Sequence, residues 1–143
     1  MVLKFDTVIV LNTDEAQSTA VKGCRVARLR IIFRLPSTVN RDGDPEPAPP
    51  HWPTEALAYV NWFTPFRNSP EDSTGMYRVD YPKDVNSLSA GAIIPLANIR
   101  QSCMLTPSKA TWDPDWTTEN VLDECRSFFV NNLQSKYAYQ TIY

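Results

Sequence analysis

Glycine and histidine are scarce in this chain, four and one respectively among 143. Gly23, Gly43, Gly75 and Gly91 never fall close together, so no glycine-rich loop can wrap backbone N–H groups around a phosphate, and nucleotide-dependent chemistry is disfavoured. A Ser-His or Cys-His pair needs a base that accepts a proton near neutral pH, and His51 is the single candidate. It stands between Pro50 and Trp52 in the most loop-like stretch of the sequence, a poor foundation for a preorganised site. Cys24, Cys103 and Cys125 are odd in number and include no Cys-x-x-Cys pair, so neither a disulfide framework nor a zinc site is signalled. Reduced, partly buried thiols are expected instead. No apolar run approaches the roughly 20 residues of a membrane span. The start, Met1-Val2-Leu3-Lys4-Phe5-Asp6, lacks the basic and apolar regions of a signal peptide. The expected setting is therefore a reducing intracellular compartment, with no membrane partner and no cofactor.

Proline is plentiful, 12 residues, in a chain that is 43% hydrophobic and 21% charged. That balance predicts rigid turns and short extended pieces rather than long helices. The length suits one domain over residues 1–143, able to bury its core without disulfides or metal. A formal net charge of −2 excludes a uniformly basic nucleic-acid binder, yet residues 1–35 carry a net +3 and residues 111–131 a net −4. One face can therefore be basic although the whole is slightly acidic.

Hydrophobic periodicity divides the chain into short strands. Residues 2–11 are rich in β-branched side chains and end at a polar turn. Residues 24–35 alternate, with Ala27, Leu29, Ile31, Phe33 and Leu35 on one face and Arg28, Arg30 and Arg34 beside Val26 and Ile32 on the other. Residues 57–66 pack Tyr59, Trp62, Phe63 and Phe66 into a core strand closed by prolines. Further short strands are expected at 76–81, 92–96, 99–105 and 127–131. A turn is expected at Ala97-Asn98, and Pro95 marks an edge position or a bend. Thr117 or Thr118 is placed to cap one or two helical turns over 118–124. Residues 36–55 hold six prolines and an Asp42-Gly43 turn, and read as a long loop, either functional or a variable insertion. The aromatic tail, residues 134–143, reads as an edge strand or a mobile end. About seven short strands broken by proline-rich turns predict a mostly β fold, a small, partly open β-barrel with one or two short helical turns.

The arginine face of residues 24–35 is the best candidate partner site. Arg28 and Arg30, two positions apart on a strand, would project about 6.6 Å apart on one side, close to the spacing of successive phosphates. Arg25 and Arg34 extend that set toward phosphates or acidic groups. The competing reading is a solvated face whose arginine stems cover Val26 and Ile32. Trp62, with Tyr59, Tyr77 and Tyr81, offers ring faces for a base or a cation, against the plainer reading of barrel core. Asp113 and Asp115 flank Pro114 and can share a divalent cation, as in metal-assisted nucleases, or stay solvated while Trp112 and Trp116 bury.

Taken in order, Asp6 with Val8, Val26-Ala27-Arg28-Leu29, Trp62-Phe63-Thr64-Pro65, Met76-Tyr77-Arg78-Val79 and the run Pro95-Leu96 to Ile99 and Cys103 resemble the bromo-adjacent homology (BAH) domain, a chromatin-associated β-barrel. The resemblance covers roughly residues 5–130. BAH domains that read methyl-lysine build an aromatic cage at positions that here hold Arg25, Trp62 and Thr64. One aromatic of three argues against methyl-lysine reading and for the protein-interaction or nucleosome-binding role of other members. The phrases AYVNWFTPF, GMYRVDY, IIPLANIRQSC and WTTENVLDECRSFFVNN are also similar to the C-terminal region of large transposon-associated proteins of mushroom-forming fungi. Together these resemblances imply a nuclear, non-enzymatic interaction module acting on DNA, a nucleosome or a transposon-encoded protein. The alternatives are a metal-dependent nuclease or other hydrolase using Asp113 and Asp115, and a structural subunit pairing through its tail.

Overall fold

The computed structural model describes residues 7–14, 21–82, 90–108, 113–132 and 142. Its strands are β1 (Thr7–Leu11), β2 (Cys24–Phe33), β3 (Thr38–Arg41), β4 (Asp44–Pro47), β5 (Leu57–Trp62), β6 (Arg78–Asp80), β7 (Gly91–Pro95), β8 (Ile99–Ser102), β9 (Met104–Pro107) and β10 (Ser127–Asn131). A 3-10 turn, Leu96–Asn98, links β7 to β8, and one helical turn, α1 (Val121–Glu124), precedes β10. Five strands form an antiparallel sheet in the order β7-β5-β2-β1-β8, three form a second sheet, β6-β10-β9, and β3-β4 is a separate hairpin. Among the described residues, no helix is long and apolar enough to cross a membrane.

Within β1, residues 8–11 are apolar at consecutive positions because both faces of the central strands are covered. Ile9 and Val26 point toward the second sheet and meet Phe63, Val79, Phe128 and Val130. Val8, Val10, Ala27, Ala58 and Val60 form a second cluster on the opposite face. Phe63 is fully buried, with its ring edge-on to Tyr81 and Phe128 at centroid distances of 5.0 and 6.0 Å. Removing such a side chain from water stabilises the fold by about 1.5–3 kcal/mol.

Among the described residues, backbone hydrogen bonds join the two sheets at two places. Just past β5, Phe63 N–H donates to Val26 O of the first sheet at 3.0 Å, and Thr64 N–H donates to Asp80 O of the second at 2.9 Å. At the other side only Cys103 separates β8 from β9, and its N–H donates to Thr7 O at 3.0 Å. The expected mostly β domain is what forms, although the strands do not close into a complete barrel.

Four local expectations differ from the structure, the first being the helix cap, which is Asn120 with no side-chain cap bond rather than Thr117 or Thr118. The predicted alternation of residues 24–35 breaks at Arg30, where β2 pairs Leu29 with Val60 but Ile31 with Tyr59, a β-bulge. Directly opposed residues share a face, so Ile32 joins Ala27 and Leu29, while Ile31 and Phe33 join Val26 and Arg28. The expected 36–55 loop contains the β3-β4 hairpin, turned by Asp42 (φ 52°) and Gly43 (φ 95°), a two-residue turn with positive φ at both positions. Ala48 N–H donates to Ser37 O at 2.9 Å. By alternation, Pro45 and Pro47 then fall at positions that need no ladder N–H. The 99–105 strand divides at Cys103 into β8 and β9. Residues 2–6 of the first expected strand, Trp112, and the tail apart from Ile142 lie outside the described residues. Ile142 itself is buried in the first cluster, and its carbonyl accepts from Asn132 Nδ2 at 3.3 Å.

Candidate interaction surface

The four arginines do not form one patch. Arg25 pairs with Val10 and so lies on the Val8/Val10/Ala27 face. Its Nε donates to Phe63 O at 2.7 Å, and its guanidinium carbon sits 5.2 Å from the Trp62 ring centroid. Burial draws its pKa below the ordinary arginine value. The Trp62 ring face, where the BAH resemblance sets a cage wall, therefore already holds a cation of the chain's own. Thr64, at the third cage position, accepts from Asp80 N–H at 2.9 Å. Arg28 is also engaged, with Nη1 donating to Asp123 Oδ1 at 2.6 Å, which ties β2 to α1. Arg30 and Arg34 are exposed. Arg30 is the extra residue of the bulge, and Arg34 borders a cavity of about 420 Å³ with Trp52, Pro36 and Pro49.

The expected phosphate spacing of Arg28 and Arg30 is lost for the same reason, since one is bound to Asp123 and the other sits where the ladder is irregular. Trp62, Tyr77 and Tyr81 serve the packing. Trp62 lies under Arg25, Tyr77 packs edge-on to Phe66 at 5.3 Å, and Tyr81 packs on Phe63. Asp113 Oδ1 accepts from Asp115 N–H at 2.9 Å, a local turn bond, and Trp116 packs half-buried against the first cluster. Among the described residues no group of three or more His, Cys, Asp and Glu comes together to hold a metal ion. His51 is exposed in its turn, and all three cysteines are buried thiols.

The feature that sequence reasoning missed is a row of apolar side chains across three strands. Ile31 of β2 is opposite Tyr59 of β5, and Tyr59 is opposite Ile93 of β7, so all three share one face of the first sheet. They are 59%, 38% and 62% exposed. In the next row, Phe33, Leu57 and Pro95, Leu57 is buried and Phe33 half-buried. This is the same face that Ile9 and Val26 present to the second sheet, but the shared core includes no residue of β7. The row is thus the part of the face left over beyond the second sheet. Tyr59 lies back over Gly91, where an added Cβ would come within 2.7 Å of the phenol Cζ, so only glycine lets the ring rest there.

β7 is also an edge. Trp62 N–H donates to Ala90 O and Leu96 N–H to Ala56 O, each at 2.9 Å, which fixes these two pairs as hydrogen-bonded. Antiparallel bonding alternates, so Ala92 and Ile94 bond to β5 while Gly91, Ile93 and Pro95 turn their backbone polar groups outward. Pro95 has no N–H to expose, in keeping with the expected edge position.

No protein-family model, curated protein or solved structure matches the chain.

Proposed function

We propose that this chain is a non-enzymatic protein-interaction module whose contact surface is the Ile31–Tyr59–Ile93 row. The observation that carries this reading is the exposure of three large apolar side chains in one line on one face of the first sheet, whereas Ile32, also exposed, stands by itself on the opposite face. Contiguous exposed apolar area on a small domain marks a contact site, whereas scattered single residues do not. A tyrosine between two isoleucines supplies the rigid aromatic anchor that dominates binding energy at such sites. Arg30, exposed at the β2 end of the row, favours a partner with an acidic group at that end. The resemblance to chromatin-associated BAH domains suggests a nuclear protein as that partner.

Binding DNA through phosphates fits less well, because Arg25 and Arg28 are engaged internally and the chain is net acidic. A photo-crosslinking amino acid at Tyr59, compared with the same probe at Met104 on the second sheet, tests the proposal in cells that make the chain. Protein adducts specific to position 59 and abolished by Ile31→Asp are expected. Identical adduct patterns at both positions would count against the assignment. Tight, steeply salt-dependent binding of a mixed-sequence duplex, lost on charge reversal of Arg30 and Arg34, would replace it with the nucleic-acid reading.

A further inference from the structure

We infer that two copies of this chain pair through β7, antiparallel about a two-fold axis at Ile93, and so join their five-stranded sheets into one sheet of ten. The inference rests on the reading of this face as an interaction surface and names a second copy as the occupant of its β7 end.

The hydrogen-bonding phase of β7 supplies the first reason. With the axis at Ile93, the outward N–H and C=O of Ile93 exchange bonds with those of Ile93 of the second copy. The outward Gly91 N–H then meets the Pro95 carbonyl of the second copy, and the symmetric bond forms in return. Pro95, which has no N–H, is left facing a Gly91 carbonyl at the rim, where water can satisfy it. The edge is therefore complementary to itself in this register, as a two-fold interface requires.

Charge supplies the second reason. Exposed edges are ordinarily protected by lysine, proline, an inward-pointing charge or a bulge, and of these β7 has only Pro95, at its last position. β7 reads Gly-Ala-Ile-Ile-Pro and carries no charge, and it pairs with β5 without a register shift. Two copies can approach without like-charge repulsion at the axis.

The third reason is the apolar row. The same pairing sets Ile93 of the two copies side by side on the exposed face and extends the three-residue row into one of six. Each protomer thereby covers the most exposed of its large apolar side chains. The contact is smaller than a standard stable interface, so a reversible, concentration-dependent dimer is expected rather than an obligate one.

Sedimentation velocity of the full chain over about 5 to 500 µM tests this through mass action. Wild type is expected to shift from monomer to dimer across that range. Ile93→Lys should raise the dissociation constant at least about tenfold. Ile93→Pro should do the same by deleting the outward N–H, while the β5-facing bonds of Ala92 and Ile94 stay intact. Met104→Lys, an exposed apolar position on the second sheet, should leave the constant unchanged. Circular dichroism verifies that each variant is folded, and if the proline variant is not, Ile93→Lys alone decides. A dimer indifferent to Ile93→Lys overturns the inference. A chain that stays monomeric while the position-59 probe still captures a different protein overturns self-pairing and leaves the interaction reading intact. A monomer without any position-59 adduct overturns both.

Discussion

Replacing Arg25 by methionine separates a structural arginine from a partner-binding one, because the substitution keeps most of the apolar stem and removes only the guanidinium. Two interactions disappear. The Nε bond to Phe63 O, at 2.7 Å, belongs to the class of charged hydrogen bonds that contribute about 1.5–3 kcal/mol. The guanidinium over Trp62, at 5.2 Å, contributes about 1 kcal/mol at a partly desolvated site. Against these stands the cost of burying the charge, visible in the depressed pKa of Arg25, which the variant no longer bears. The balance is a loss of about 2 kcal/mol, which for a chain of this length lowers Tm by about 6 °C. Urea unfolding followed by tryptophan fluorescence measures it, with Arg30→Met as the exposed control, expected within about 0.5 kcal/mol of wild type. An Arg25→Met variant as stable as the control would mean that the guanidinium is not committed to the fold, and Arg25 would return to the set of partner contacts.

The Arg28–Asp123 pair should show a coupling of about 1 kcal/mol in a double-mutant cycle of Arg28→Met and Asp123→Asn, the upper end for a pair with one exposed member, and zero coupling would refute its role in holding α1 to β2. Gly91→Ala should cost about 1 kcal/mol by pushing the Tyr59 ring off the strand, with most of the loss absent in a Tyr59→Leu background; full additivity of the two changes would show that the ring does not rest there. Burial raises the Cys103 thiol from 9.0 to about 12, outweighing the opposing hydrogen bond with Thr7. Since the native pKa is the higher one, this stability is complete below pH 9 and lost as pH rises toward 12, a decline on the order of 4 kcal/mol. Cys103→Ala should lack that component in alkaline unfolding curves, and an unchanged curve would contradict the buried thiol.

The core strands were legible because their signal is local. The run at residues 7–11, the Phe128 and Val130 alternation and the edge marker at Pro95 each state their environment within a few residues. The hairpin at 38–47 was not, because it buries no side chain fully and thus has no hydrophobic period, and its prolines hide at positions where a strand can do without an N–H. The arginine face failed for a related reason. Period-2 counting ran through Arg30 as though it belonged to the ladder, which assigned Ile31 and Phe33 to the wrong side. The exposed row was out of reach altogether, because it depends on which strands become neighbours across the sheet. Ile93 meets Tyr59 only because β7 returns to pair with β5. The engagement of Arg25 and Arg28 depends likewise on Phe63 and Asp123, 38 and 95 residues away.

The bulge at Arg30 also bears on how the chain can vary in length. A single-residue deletion inside a sheet ordinarily turns every later side chain over. Deleting Arg30 does not, because the remaining order, Leu29, Ile31, Ile32, Phe33, matches Val60, Tyr59, Ala58 and Leu57 one for one as a regular ladder, and among the described residues β1 pairs with β2 no further than Arg28, short of the gap. A chain missing that codon keeps each side chain on its present face and loses only the local twist and one positive charge. Natural variants one residue shorter at this point are therefore compatible with the same sheet, and such a deletion changes the curvature of the exposed face while leaving its composition untouched.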